Sequence, residues 1–374
     1  MFEPLSKIPS GMRYYFGAEA RVRRAVEDAC MSVFDGWSYE EIATPSVDYY
    51  ALFEHGMGHD EAHRAFRFTD TDGRMLALRP DVTSSVARAA ATLFAERARP
   101  LRLCYAAPVF RQRSRSHAEW RRENRQIGCE LIGAGSRDAD VEVLAIAAEV
   151  LESLGLRSDV RITLNNVGVF NGVAESLRLD AGRREQMRRI IDVRDVSELR
   201  RFLTSTASAV SPDGESRWRL PRLSGKREVL DEARRVISNE QSRAALTALE
   251  HLWGVVENLG LADLIEIDLG DVSGLDYYTG LVFKIYVAGA GARVGSGGRY
   301  DDLIANFGRR EPAVGFVLEL DTLTEVVLRK GFTPAGHTEA TSSIESTTPV
   351  VLFADAKQRR ANGQRVRISL RDEG

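Results

Sequence analysis

From about Val167 to Gly260 the chain is rich in Arg, Glu and Leu and nearly free of strand pattern, while β-type runs stand on both sides of it. Such a stretch reads as a helical insertion in a larger domain, and the flanks say what that domain is. Glu19 to Phe34 spaces Val22, Ala25, Val26, Ala29, Val33 and Phe34 at three and four residues, one apolar helical face ending before Gly36. Tyr39 to Thr44 has strand character and is closed by Pro45. Phe66 to Thr69 and Met75 to Leu78 flank Asp72-Gly73, a hairpin signal because glycine accepts the positive φ of such turns. Asp81 can cap a helix running through Val86 and Ala89 to Phe94. Leu101 to Arg111 and Gln126 to Ile132 predict two strands joined by a long polar loop. Asp138 to Leu154 predicts a helix with Gly155 as its C-terminal cap. A strand follows near Arg161 to Leu164. Beyond the insertion, β patterning returns at Leu264 to Leu269, Leu281 to Val287 and Ala313 to Leu318, with a short helix at Tyr300 to Phe307. A helix, a hairpin, further strands and a late helix in this order imply an α+β domain built on an antiparallel sheet.

The composition fits that picture. At 374 residues, 44% hydrophobic and 28% charged, the chain can bury a substantial core, and length alone suggests two or three units. The expected division is a core over 1–330 with its insertion at about 167–260, a Thr, Ser, Gly and Glu linker over 331–348, and a short segment over 349–374. That last segment suggests two strands, Val350 to Phe353 and Val366 to Ser369, and is too short to be an independent domain. No run approaches a membrane span, and the N-terminus lacks the basic-then-apolar layout of a secretory signal, so a cytoplasmic location is expected. Cys30, Cys104 and Cys129 show no CxxC spacing and read as buried reduced thiols. A net charge of −3 argues against a globally basic nucleic-acid surface.

Four separated motifs sharpen the reading. They are Tyr39-Glu40-Glu41-Ile42-Ala43-Thr44-Pro45, Leu78-Arg79-Pro80-Asp81-Val82-Thr83, Val109-Phe110-Arg111-Gln112 with Gln126-Ile127-Gly128-Cys129-Glu130, and GLDYYTG at 274–280 with Gly297-Gly298-Arg299-Tyr300-Asp301. In this order they resemble the class II core of histidyl-tRNA synthetases: motif 1 at the dimer interface, the LRPEGT segment that holds the histidine amino group, motif 2 with its return strand, and the histidine signature with GGRYD. The resemblance covers the chain from Ile8 to about Leu323. It implies a class II aminoacyl-tRNA synthetase-like antiparallel sheet flanked by helices, and a histidine site at Asp81, Thr83, Arg111, Gln126, Glu130, Tyr277 and Tyr278. The residue types suit that ligand. A zwitterionic imidazole compound needs anions for its ammonium (Asp81, Glu130), directional hydrogen bonds (Thr83, Gln126), a cation for its carboxylate (Arg111) and a polar aromatic wall (Tyr277, Tyr278). Taken singly, each tyrosine would read as amphipathic core and each carboxylate as a cap; the pocket rests on the set.

Departures from the family pattern fall on its chemistry. The synthetases carry an arginine immediately before GLDYY, where this chain has Ser273. Motif 2's adenine-reading glutamate is replaced by Arg113. The arginine ending motif 3 is replaced by Thr322, with Glu319 where a glycine is expected. Losing one preorganised cation from an anionic transition state costs about 2.7–4 kcal/mol, roughly 100- to 1,000-fold in rate. Adenylation is therefore expected to be absent, no catalytic residue is assigned, and the anticodon-binding domain is expected to be reduced to a stub. A synthetase paralogue of this kind resembles the regulatory subunits of ATP phosphoribosyltransferase. That resemblance implies a non-catalytic protein, a homodimer within a hetero-oligomer, with a short catalytic subunit as partner and histidine as feedback effector, with no cofactor or metal and no tRNA partner. A divergent histidine-tRNA ligase and a synthetase-like RNA-binding or interaction module are the rival readings.

Three other signals are weaker. Gly289 to Gly295 joins two strands and reads as a glycine-rich hairpin. His55, His59 and His63 recur every four residues, but Gly56 and Gly58 oppose a helix there and hence a metal site. Arg111, Arg113, Arg115, Arg121, Arg122 and Arg125 form an arginine-rich loop that could meet a phosphate or an acidic partner, or simply be solvated.

Overall fold

Alternation along the strands determines how the sheet is used. The computed structural model describes residues 6–113, 121–206, 222–272, 278–332, 341–344 and 348–369. Nine strands form one sheet in the order β1 (Glu40–Glu41), β5 (Leu101–Phe110), β6 (Glu123–Ile132), β12 (Ala313–Glu319), β11 (Arg293–Arg299), β10 (Leu281–Val287), β7 (Val160–Asn166), β9 (Ile265–Asp268) and β8 (Ser224–Gly225). All pairings are antiparallel except β1 with β5 and β7 with β9. Residues opposed across neighbouring strands share a face. One such row runs Cys104, Cys129, Phe316, Gly297, Phe283, Leu164 and is almost wholly apolar. Helices α1 (Gly17–Gly36), α5 (Arg137–Ser153) and α11 (Leu320–Arg329) cover that face. Phe34 of α1 meets the Phe316 ring edge-on with centroids 6.0 Å apart, and Cys30, Cys104 and Cys129 are buried there as free thiols.

The α1 face expected from the sequence is present, with Val22, Val26, Cys30 and Phe34 buried. The stretch between β7 and β9 supplies α6 (Val167–Ser176), α7 (Ala181–Asp192), α8 (Val196–Thr206), α9 (Glu228–Val236) and α10 (Glu240–Asn258). Of these, α10 packs on α6, α5 and β7 and so ties the helical block to the sheet. Trp253 and Leu249 of α10 are buried at that seam. A separate three-stranded sheet has the order β2 (Val47–Tyr49), β4 (Met75–Leu78), β3 (Arg67–Thr69), with β3 and β4 forming the expected hairpin. Helix α4 (Thr83–Ala91) follows it, and the Ser84 amide donates to Asp81 at 3.3 Å.

Several local expectations are corrected. Helix α2 (Tyr50–Met57) forms despite Gly56, because a Cβ there would lie 2.2 Å from Ser84 Oγ and the glycine permits close packing on α4. The chain breaks instead at Gly58, φ 81°, before the single turn α3 (His59–Ala62). Strand β11 pairs antiparallel with β10 as the second strand of the expected glycine-rich hairpin, although glycine has little β propensity and gives the strand no apolar alternation of its own. The strand expected at Val350 to Phe353 is the start of helix α12 (Pro349–Ala361): Pro349 suits the first helical turn, and Leu352 and Ala356 are buried at i and i+4 while Val350, Val351 and Phe353 are exposed. The stretch read as linker contains β13 (Thr341–Ile344), paired in parallel with β14 (Arg365–Ile368). By internal contacts the chain divides into Met1–Lys330 and Gly331–Gly374, the second unit packing Val366 and Ile368 around Ile344, Leu352 and Ala356.

Candidate ligand-binding site

The other face of the large sheet carries Glu130, Gln126, Lys284 and Thr163, and its glycines let neighbouring side chains lie close on the backbone. One row runs Leu103, Glu130, Gly315, Gly298, Val282, Asn165; the next runs Tyr105, Gly128, Val317, Ser296, Lys284, Thr163. Where a row reaches a glycine, a neighbouring side chain lies flat on bare backbone. A Cβ on Gly315 would sit 1.8 Å from Glu130 Oε2, one on Gly298 would sit 2.8 Å from the Tyr278 ring, and one on Gly128 would sit 2.9 Å from the Tyr105 hydroxyl oxygen.

Glu130 is the centre of this face and is 1% exposed. Its carboxylate accepts hydrogen bonds from Thr83 Oγ1 at 2.8 Å, from the Tyr105 hydroxyl at 3.1 Å and from the Tyr300 hydroxyl. Burial pushes its pKa up from 4.5 to about 7, although the three hydroxyl donors pull the other way. Asp81 adds to the upward push as a second nearby anion, and burial raises its own pKa against the pull of Ser84 and Arg111. Burial thus raises the pKa of both carboxyls, and each is opposed by hydrogen-bonding or charged neighbours.

A second cluster lies one row further along β6. Gln126 faces Glu319 in register, and Gln126 Nε2 donates to Glu319 Oε1 at 3.0 Å. Asn124 also donates to Glu319. Arg111 Nη1 stands 3.6 Å from Glu319 Oε1, and Arg111 Nε donates to the Pro80 carbonyl at 3.2 Å. Three strands across the sheet from β6, Lys284 is 6% exposed and ion-paired with the buried Asp271, which Thr163 Oγ1 approaches at 3.3 Å. Desolvation lowers the Lys284 pKa while Asp271 opposes the shift.

Of the residues expected in the pocket, Thr83 and Glu130 touch directly, Arg111 and Gln126 meet through Glu319, and Asp81 acts electrostatically on both Arg111 and Glu130. Tyr278 lies half-buried over Gly298 and packs on the core with Tyr300. Tyr277 and Ser273 lie outside the described residues. Sequence reasoning missed Tyr105, Tyr300, Asn124 and the placement of Glu319. Tyr300 sits inside the GGRYD motif and could have been found there, whereas Tyr105 carries no local signal and reaches Glu130 only through the β5–β6 register. The neighbouring Arg299 is an anchor instead: its guanidinium binds Asp140 at the start of α5, at 2.8 Å.

Among the described residues, the remaining candidates make other contacts. His55 Nδ1 bonds the Ala51 carbonyl at 2.7 Å, His63 meets Tyr50, and the break at Gly58 ends the helical face the three histidines would need. Among the described residues no group of three or more His, Cys, Asp or Glu side chains could hold a metal. Of the arginine-rich loop, residues 114–120 lie outside the described residues; Arg121 pairs with Glu325, and Arg125 pairs with Glu27 at 2.5 Å. No described helix is long and apolar enough to cross a membrane.

Residues 11–323 match the histidyl-tRNA synthetase family model. The ATP phosphoribosyltransferase regulatory subunit of Halothermothrix orenii is 36% identical over 332 residues, covering 88% of this chain and 78% of that one. The regulatory subunit of Moorella thermoacetica is 36% identical over 363 residues, covering 96% and 91%. A crystal structure described as an ATP phosphoribosyltransferase regulatory subunit/histidyl-tRNA synthetase from Bacillus halodurans superposes with a TM-score of 0.87 at 30% identity, over 98% of this chain and 93% of that one. With a synthetase-type sheet, a family model matching residues 11–323 and relatives of this kind along nearly its whole length, the chain belongs to the histidyl-tRNA synthetase-like family of ATP phosphoribosyltransferase regulatory subunits.

Proposed function

We propose that this protein is the non-catalytic regulatory subunit that activates a short-form ATP phosphoribosyltransferase in the cytoplasm and conveys histidine feedback inhibition to it, at the first step of histidine biosynthesis. The observation that carries the reading is the buried Thr83–Glu130–Tyr300 centre on a glycine floor: an amino-acid pocket kept within a family of regulatory subunits. Histidine binds through Asp81, Thr83, Arg111, Gln126, Glu130, Tyr277 and Tyr278. Its ammonium takes the carboxyls of Asp81 and Glu130, its carboxylate takes Arg111, and the tyrosines wall the ring. The same face is poorly suited to adenylation, because Thr322 stands at the motif 3 arginine position and Glu319 places a carboxylate beside Arg111. The chain therefore neither activates histidine nor charges tRNA.

Its output is a change in the partner. A ligand shifts a partner only by its differential affinity for two states of the assembly, typically about 1–3 kcal/mol. A homodimer forms through the motif 1 region, where the exposed face of the small sheet is apolar: Val47, Tyr49 and Phe68 are 40%, 44% and 42% exposed, with Leu76 and Leu78 beside them in register. Reconstitution with a short-form transferase tests the reading. Mixing should raise transferase activity, histidine should then inhibit it, and the double substitution Tyr277→Ala with Glu130→Ala should desensitise the complex while leaving activation intact. Failure to activate, or histidine-dependent ATP–pyrophosphate exchange at about 1 turnover per second or faster, overturns it.

A further inference from the structure

The donors that a ligand carboxylate would use on this face are already occupied by a side chain of the protein. Strand β12 ends in Glu319, opposite Gln126 in register. The Glu319 carboxylate accepts from Gln126 Nε2 at 3.0 Å and from Asn124, and lies 3.6 Å from Arg111 Nη1. Arg111 is steered to that position by its own backbone contact, Nε to the Pro80 carbonyl at 3.2 Å. Resting on the pocket reading above, we infer that Glu319 is a built-in competitor for the ligand's carboxylate, which must displace it from Arg111 to bind.

Three features make the exchange feasible. At 3.6 Å the pair is longer than a tight charge-assisted hydrogen bond, about 2.7–2.9 Å, so the guanidinium is held but not saturated. The Arg111 and Glu319 side chains are 21% and 19% exposed, so a solute can reach the contact and Glu319 can swing toward solvent. A second carboxylate brought to the same Nη1 edge of Arg111 is repelled by Glu319, so the two compete for that edge. An internal carboxylate is always present at high effective concentration, and it lowers the apparent affinity of any anionic ligand by the fraction of time it holds the seat. The effect is selective: it acts on the carboxylate end of an amino acid and leaves its ammonium and ring contacts untouched.

Calorimetry on the full chain tests this with two probes, L-histidine and L-histidinol, the latter keeping the imidazole and ammonium but lacking the carboxylate. Glu319→Gln should tighten histidine by about 3- to 20-fold, between the worth of an exposed ion pair and that of a charged hydrogen bond, and leave histidinol unchanged. Glu319→Ala should move in the same direction. Equal tightening of both probes would mean a general field effect, and weakening of both would make Glu319 an ammonium partner; either result overturns the inference. Wild-type binding with unchanged affinity in both variants also overturns it and leaves the pocket standing. Absence of histidine binding in wild type and variants alike would bring down the pocket reading as well.

Discussion

Glu130→Gln should raise the stability of the free protein above neutral pH while weakening its hold on histidine. The carboxyl is fully buried, and burial raises its pKa from 4.5 to about 7. Its folded value lies above its unfolded value, so the native state binds the extra proton between those two pH values and stability falls as pH rises through that window. Glu130 therefore contributes most below about pH 4.5, and that contribution is lost by about pH 8. The interval corresponds to about 3 kcal/mol, an order-of-magnitude ceiling. A glutamine keeps the shape and, like the protonated acid, has a donor end and an acceptor end, though with two N–H donors in place of one O–H, and it never ionises. Urea unfolding of wild type and variant should agree within about 1 kcal/mol at pH 5 and diverge at pH 8, with the variant ahead by up to about 3 kcal/mol. Asp81 titrates in both proteins, so the difference at each pH reports Glu130 together with its coupling to Asp81. Calorimetry at pH 8 should show the opposite sign: losing an anionic partner for the ammonium costs about 1.5–3 kcal/mol, roughly a 10- to 150-fold weaker affinity. A variant destabilised equally at both pH values would refute the reasoning, because it would show that Glu130 is a structural acceptor ionised throughout.

Gly315→Ala should abolish histidine binding with a smaller effect on folding, since the new Cβ would meet Glu130 Oε2 at 1.8 Å and must push the carboxylate off the floor; calorimetry alongside a thermal melt separates the two effects. If the proposed homodimer forms through the exposed apolar face of the small sheet, Tyr49→Glu should turn it into a monomer, as read by sedimentation velocity, and a dimeric mass unchanged by the substitution would exclude that face. Asp271→Ala leaves the Lys284 ammonium buried without its carboxylate and should cost about 3–5 kcal/mol of unfolding free energy. Lys284→Met with Asp271→Asn, which removes both charges, should recover most of that loss.

How far the site was legible depended on whether its signals were local. Thr83, Arg111, Gln126 and Glu130 sit in short motifs that resemble those of histidyl-tRNA synthetases, so the resemblance could name them from the chain. The helical run through the insertion and the period-two alternation of β6 and β12 are likewise local properties, each determined by a few neighbouring residues. What the alternation could not supply was the partner of each strand. Strand β6 is followed in sequence by α5 and lies beside β12, 180 residues further on, and only that register puts Gly315 under Glu130 and Glu319 against Gln126. Tyr105 and Tyr300 reach the same carboxylate from β5 and from the turn after β11 for the same reason.

The tail misled for a related cause. Val350 to Phe353 has strand propensity taken alone, yet Pro349 and the buried pair Leu352 and Ala356 place it in a helix, so packing overrode propensity. The fold class, the helical insertion and the chemical types of the pocket were thus determined by the sequence itself, because periodicity and motif chemistry are short-range. The raised pKa of Glu130 and the carboxylate standing beside Arg111 were decided only by the tertiary structure, because burial and long-range register exist nowhere along a linear chain.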